Sequence, residues 1–185
     1  MPVPTHSVCV YCGSRDGARA PYVAAARETG RMLARNNWRL VYGAGDVGLM
    51  GHVARSAQME GGQTFGVIPA HLLAREVGKQ DLDRFVITET MHESKKVMFM
   101  NADAIALLPG GAGSMDELFE VLTWRQLGLH AKPILLVDIE GFWGPFEALV
   151  AHIVNEGFAG SELRDFTTRL ADVAALEAEL RRELT

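Results

Sequence analysis

The residues best placed to do chemistry are Pro109-Gly110-Gly111-Ala112-Gly113-Ser114-Met115-Asp116-Glu117. They lie between an apolar run, Ala104 to Leu108, and a helical pattern that continues to Leu127. A short apolar run, then glycines, then a helix reads as a buried parallel strand, a tight turn and a helix N-terminus. Glycines there let the backbone approach a ligand, and the helix adds unpaired N–H donors and the positive end of its dipole. The result is a phosphate cradle, to which Ser114 can add a hydroxyl donor. Glu117, one turn into the helix, puts a carboxylate close to such a phosphate, where it could act on a neighbouring sugar. Asp116 and Glu117 are equally the acids a helix favours in its first turn to complement its dipole. The stretch alone leaves both readings open.

The elements that must position this cradle follow from periodicity. Ser7 to Tyr11 predicts a first strand, ending in the polar loop Cys12-Gly13-Ser14-Arg15-Asp16-Gly17. Gly13 and Ser14 thereby become candidate contacts, since such loops meet ligands at a strand's carboxyl end. Further strands are predicted over Trp38–Tyr42, Gln63–Ile68, Arg84–Thr88 and Pro133–Val137. Helices are predicted over Pro21–Asn36, Leu49–Glu60, Met91–Asn101, Ser114–Leu127 and Trp143–Glu156. Ala70 to Asp83 is expected to be irregular or weakly helical, and a polar connection leads to a charged terminal helix, Asp172 to Arg182. Strands alternating with helices predict an α/β fold, a doubly wound parallel sheet in a single domain over 1–185. The Ser114–Leu127 helix is apolar on more than one face, which predicts a subunit interface.

Other motifs are weaker. Gly43-Ala44-Gly45-Asp46-Val47-Gly48 is a formal G-x-G-x-x-G between a strand and a helix. A dinucleotide site also needs an acid about twenty residues on, at the end of the next strand. Phe65 to Pro69 contains none, so NAD is rejected, and Gly45 is kept as lining for the same sheet edge. Cys9 and Cys12 form a C-x-x-C, but Cys9 lies inside a strand and no second pair completes a zinc site. Two buried or semi-buried thiols and no metal are expected. Lys95 and Lys96 are either a solvated face or contacts for an anion.

The totals narrow the class. A 185-residue chain, 48% hydrophobic and 22% charged, has the profile of an ordinary globular domain. With 18 Lys+Arg against 23 Asp+Glu the net charge is -5, which argues against nucleic acid or an anionic membrane as partner. No apolar run is long enough to span a bilayer and the first residues lack a signal-peptide pattern, so a cytoplasmic location is expected.

Met91-His92-Glu93-Ser94-Lys95, followed by Pro109 to Glu117, resembles the Lonely Guy family. These are cytokinin riboside 5'-monophosphate phosphoribohydrolases, often mislabelled as lysine decarboxylases. Tyr11-Cys12-Gly13-Ser14, Val47-Gly48-Leu49-Met50-Gly51, Gly66-Val67-Ile68-Pro69 and Trp124-Arg125-Gln126-Leu127-Gly128 agree, and the likeness runs from about Ser7 to Phe158. It implies a Rossmann-like homodimer, or a larger homo-oligomer. This would cut the N-glycosidic bond of a nucleoside 5'-monophosphate (AMP or a cytokinin riboside 5'-monophosphate) to free base and ribose 5-phosphate, without a cofactor.

On that resemblance the catalytic Glu falls on Glu117 and the Lys of the usual His-x-Arg-Lys on Lys95. The phosphate loop falls on Gly110, Gly111, Ala112, Gly113 and Ser114, with Met115 and Asp116 following. Glu76 matches an acid that contacts the nucleotide, and Thr123 a threonine on the long helix. The departure is Ser94, which stands where the family has its catalytic Arg; a hydroxyl cannot replace a guanidinium in kind. Lys95, Lys96, Arg15 and Arg75 are the cations that could substitute. Ser94 also supports an alternative, a nucleotide-binding protein without hydrolysis, similar to the related molybdenum-cofactor carriers. Lysine decarboxylation would require a pyridoxal phosphate site with an acid for the pyridine nitrogen, and nothing marks one.

Overall fold

The computed structural model describes residues 3–73, 79 and 81–184. The strands are β1 (His6–Tyr11), β2 (Trp38–Tyr42), β3 (Thr64–Pro69), β4 (Arg84–Thr88), β5 (Ala104–Leu107), β6 (Ile134–Val137) and β7 (Thr168–Leu170). The helices are α1 (Ala20–Arg35), α2 (Gly48–Met59), α3 (Ala70–Leu73), α4 (Met91–Met100), α5 (Ala112–Gln126), α6 (Gly144–Asn155) and α7 (Val173–Glu183). All seven strands are parallel in one sheet, ordered β4-β3-β2-β1-β5-β6-β7. This is the single Rossmann-like α/β domain expected.

Strand residues alternate between two cores, as the two-residue period requires. Val8, Val10, Leu40, Tyr42, Ala104, Ala106, Leu135 and Val137 face α1, α2 and α7. Cys9, Tyr11, Val41, Ile105, Leu107, Ile134 and Leu136 face α4, α5 and α6. Both faces of the central strands are dry, which explains why they read as continuous apolar runs.

Two elements differ from expectation. α5 begins at Ala112 rather than Ser114, because Gly111 adopts the extended N-cap conformation. Gly113 therefore sits in the first helical turn rather than in the loop before it. The supposed polar connection contains β7, a three-residue strand that pairs with β6 alone in the sheet. Arg169 of β7 donates to Asp138 and, at 2.7 Å, to Glu147, so this edge strand carries no apolar run to announce it.

The strand order reverses at β1, flanked by β2 on one side and β5 on the other. The crevice between the carboxyl ends of β1 and β5 is where open α/β sheets bind ligands. Behind it, α1 and α2 cross at Gly30. A methyl there would lie 2.2 Å from the Val53 carbonyl oxygen and 2.8 Å from the Ala57 nitrogen. Alanine gains about 1 kcal/mol of helix propensity over glycine, but forcing extra volume into a packed core costs about 1–3 kcal/mol. Against backbone atoms that cannot swing away, the second effect wins. Gly30→Ala is expected to lower the unfolding free energy by about 1–2 kcal/mol in urea titration; unchanged or higher stability would refute this packing account.

Candidate active site

The crevice is closed by backbone alone. Leu108 N–H donates to the Tyr11 carbonyl at 3.0 Å and Gly13 N–H to the Pro109 carbonyl at 3.1 Å. A Cβ at Gly110 would sit 3.0 Å from the Gly13 nitrogen, so the two loops approach more closely than a side chain there would comfortably permit. At the α5 N-terminus no side chain caps the first-turn donors. A methyl at Gly111 or Gly113 would meet nothing within 4 Å. These donors open onto free volume, as an anion cradle requires. The Ser114 hydroxyl lies beneath the loop, only 2.1 Å from where a Gly110 methyl would be.

Two cavities meet at this loop. One, of about 210 Å³, has Tyr11 and Cys12 in its floor and Met50, Val67, Pro69 and Met98 among its apolar walls. Ser94, Lys95, Asp116 and Glu117 supply its polar side. The other, of about 440 Å³, lies across the loop between Arg15, Tyr22, Leu49 and Phe142. Ser14, Gly111 and Ala112 line both.

α4 delivers Ser94 and Lys95. Its start is fixed by a capping box: Thr90 Oγ1 accepts from Glu93 N–H at 3.2 Å, and Glu93 Oε2 accepts from the Thr90 and Glu89 amides at 3.2 and 2.9 Å. Ser94 then points inward, 1% exposed, and shares a short hydrogen bond with the Thr88 hydroxyl. Lys95, 3% exposed, donates to Asp116 Oδ2 at 3.0 Å and Glu120 Oε2 at 2.8 Å. It therefore clamps α4 to the second and third turns of α5. Burial pulls its ammonium down, but the hydrogen bonds to Glu120 and Asp116 carry it, on balance, above the ordinary lysine value.

The thiols beneath the pocket are inert. Burial, and after it the charge of Glu117, pushes Cys9 and Cys12 far above the ordinary thiol range. Tyr11 is raised in the same way, by burial first. A thiolate nucleophile is excluded at neutral pH. Among the described residues no three His, Cys, Asp or Glu side chains gather as a metal site.

Most expected site residues come together here. Gly113, Ser114, Asp116, Glu117, Ser94 and Lys95 line the first cavity, and Gly13 and Gly110 the second. Gly45, Met115 and Thr123 line neither; Thr123 is exposed and donates to the Phe119 carbonyl at 2.7 Å. Glu76 and Arg75 lie outside the described residues. Sequence reading missed the apolar walls Met50, Val67, Pro69 and Met98, and the aromatic pair Tyr22 and Phe142, whose ring centroids are 6.1 Å apart. The carboxyl-end rule could have found Pro69, which closes β3 beside the crevice.

Sheet order, crevice and open cradle define a Rossmann-like α/β protein with an uncapped, glycine-led helix start at its topological switch point. Residues 50–180 match a family model described as "Possible lysine decarboxylase". The chain belongs to this family, which includes the LOG proteins. It is 43% identical to the rice (Oryza sativa subsp. japonica) cytokinin riboside 5'-monophosphate phosphoribohydrolase LOG, over 85% of this chain and 65% of that one. It is 40% identical to LOG2 of Arabidopsis thaliana, named for the same activity, over 85% of this chain and 74% of the relative. The chain thus spans just under two thirds of the rice relative's length. Among solved structures, the molybdenum cofactor carrier protein of Chlamydomonas reinhardtii superposes with a TM-score of 0.74 at 19% identity, covering 97% of this chain and 98% of that one. The molybdenum cofactor binding protein of Rippkaea orientalis superposes at 0.75 and 18%, over 100% and 99%. At such identities these likenesses establish the fold.

The Lys95 clamp has a testable pH signature. A lysine raised on folding stabilises the fold below its unfolded pKa, and the gain is lost as pH climbs through the folded value. Asp116 is 60% and Glu120 21% exposed, so solvent screening discounts the pair. Lys95→Met should cost about 1–3 kcal/mol at pH 7, and the difference from wild type should narrow above about pH 10.4. A pH-independent difference would show that packing, not charge, is what Lys95 supplies.

Proposed function

We propose that the protein is a nucleoside 5'-monophosphate N-ribohydrolase, releasing a free base and ribose 5-phosphate. The observation that carries this reading is that Glu117 and the open first turn of α5 share one cavity. Phosphate bound on that turn puts the ribose within reach of the carboxylate. The apolar walls Val67, Pro69 and Met98 suit a purine face. As the bond between the anomeric carbon and the base nitrogen breaks, positive charge builds on the sugar and negative charge on the base. Glu117 stabilises the cationic carbon and orients water, whose hydroxyl adds to that carbon while its proton passes to the departing base. The names of the rice and Arabidopsis relatives support the reaction class and make cytokinin riboside monophosphates, with AMP, the first substrates to try.

A second reading has its own observation. Ser94 is buried against Thr88 and brings no positive charge to the first cavity. A carrier that binds a nucleotide-like ligand without cleaving it would need none. Release of adenine from AMP and of base from isopentenyl-AMP separates the two. Wild type is expected to turn over, Glu117→Ala to lose about a hundredfold or more, and Ser94→Arg to gain roughly tenfold. Tight AMP binding without release by wild type would favour the carrier.

The protein is also proposed to be a homodimer. The second apolar face of α5 is partly covered within the chain, by Phe99–Trp124 and Phe119–Phe146 contacts at 4.9 and 5.7 Å. Met100, Leu127 and Leu129, at the ends of α4 and α5, remain 67% exposed each. Elution as a dimer or larger is expected at micromolar concentration, and a clean monomer would refute the assignment. Among the described residues no helix is long and apolar enough to cross a membrane.

A further inference from the structure

The second cavity, across the glycine loop, has no part in the reaction described so far. We infer that Arg15, which lines it, is the counter-charge for the substrate's 5'-phosphate, and that the phosphate seated on α5 faces this second cavity. The inference rests on the nucleoside-monophosphate reading and deepens it.

The charges of the first cavity create the need. Among the described residues Lys95 is the one cation lining it; Asp116 and Glu120 bind that ammonium, and Glu117 lines the same cavity. Lys95 is already shared by two of these carboxylates. A phosphate dianion turned toward that wall meets net negative charge, and a helix dipole offers only about half a positive charge against it. Ser94 contributes none. Among the described residues a further cation is offered only on the other side.

Arg15 is the cation available there. It shares the cavity wall with Gly110, Gly111 and Ala112, the start of the cradle. Its rivals are committed: Arg55 binds Asp46 at 2.7 Å, Lys79 binds Asp81 at 2.8 Å, and Arg19 lies 3.5 Å from Glu140. Lys96 lines neither cavity. Among the described residues Arg15 has no hydrogen bond or ion pair of its own. The adjacent carboxylate, Asp16, is instead engaged by His52 at 3.1 Å.

The backbone that carries Arg15 is fixed beside the cradle. Gly48, at φ +61°, has no room for a Cβ: one would lie 2.2 Å from the Ser14 carbonyl carbon and 2.3 Å from the Arg15 nitrogen. Met50 N–H donates to the Gly13 carbonyl at 3.3 Å. The arm is anchored and the guanidinium uncommitted. Tyr22 and Phe142 form the far wall of the cavity. A planar guanidinium fork matches phosphate oxygens better than an ammonium would.

The test is calorimetric binding of ribose 5-phosphate, AMP and adenosine to wild type, Arg15→Ala and Arg15→Lys, with thermal unfolding as a control. Ribose 5-phosphate has no bond to cleave, so hydrolysis cannot distort its titration. Arg15→Ala is expected to weaken both phosphorylated ligands about 10- to 100-fold and leave adenosine within twofold. Arg15→Lys should recover part of the loss, and wild-type affinity should fall with salt more steeply than that of Arg15→Ala. Wild-type affinity for ribose 5-phosphate in Arg15→Ala would overturn the inference and leave the proposed function standing. Equal weakening of adenosine would also overturn it, assigning Arg15 to loop structure. Failure of wild type to bind either phosphorylated ligand would sink the nucleoside-monophosphate reading and this inference together.

Discussion

Everything at the crevice depends on one backbone contact, the approach of Gly13 to Pro109 and Gly110. It joins the loops after β1 and β5, the two strands at which the sheet order reverses. Because the contact is made by amide, carbonyl and Cα atoms, no rotamer change can loosen it. The direction of α5 follows, since the helix begins at the residue after Gly111. With α5 fixed, Glu117 has a fixed height above the floor of Tyr11 and Cys12. The site is rigid because its frame is main chain, and its chemistry can vary because the side chains hang on that frame.

The charges are arranged less generously than the fold. Lys95 is held by Asp116 and Glu120, so it fastens two helices and has little left for a ligand. The same pairing bears on the "lysine decarboxylase" description of the family. Attack of a lysine on an aldehyde needs a neutral amine, and this one is kept protonated by its partners. Ser94 satisfies its hydroxyl on Thr88 rather than in the cavity. The first cavity is consequently an acid-rich wall facing an apolar one.

The fold and the cradle were legible because their signals are local. Continuous apolar strands, glycine turns and the Thr90–Glu93 box each act within a few residues. β7 was illegible because it is short, polar and stabilised by ion pairs to Asp138 and Glu147 from elsewhere in the chain. The clamp on Lys95 was hidden for a related reason: its partners lie 21 and 25 residues away and meet it only once the sheet brings α4 beside α5. The formal G-x-G-x-x-G misleads in the other direction. Its last glycine serves the contact with Ser14 and Arg15, and Gly45 packs against Met50 rather than opening toward a ligand. A motif states which backbone shapes are allowed, and only the tertiary neighbours decide what fills them.

That contact at Gly48 has a further consequence. α2 also starts at the crevice, but its first residue is pressed against the Ser14–Arg15 peptide. One of the two glycine-led helix starts is stoppered and the other, on α5, is open. The crevice therefore has a polarity, like a keyed socket. A molecule with one anionic end and one flat apolar end fits such a socket in a single sense.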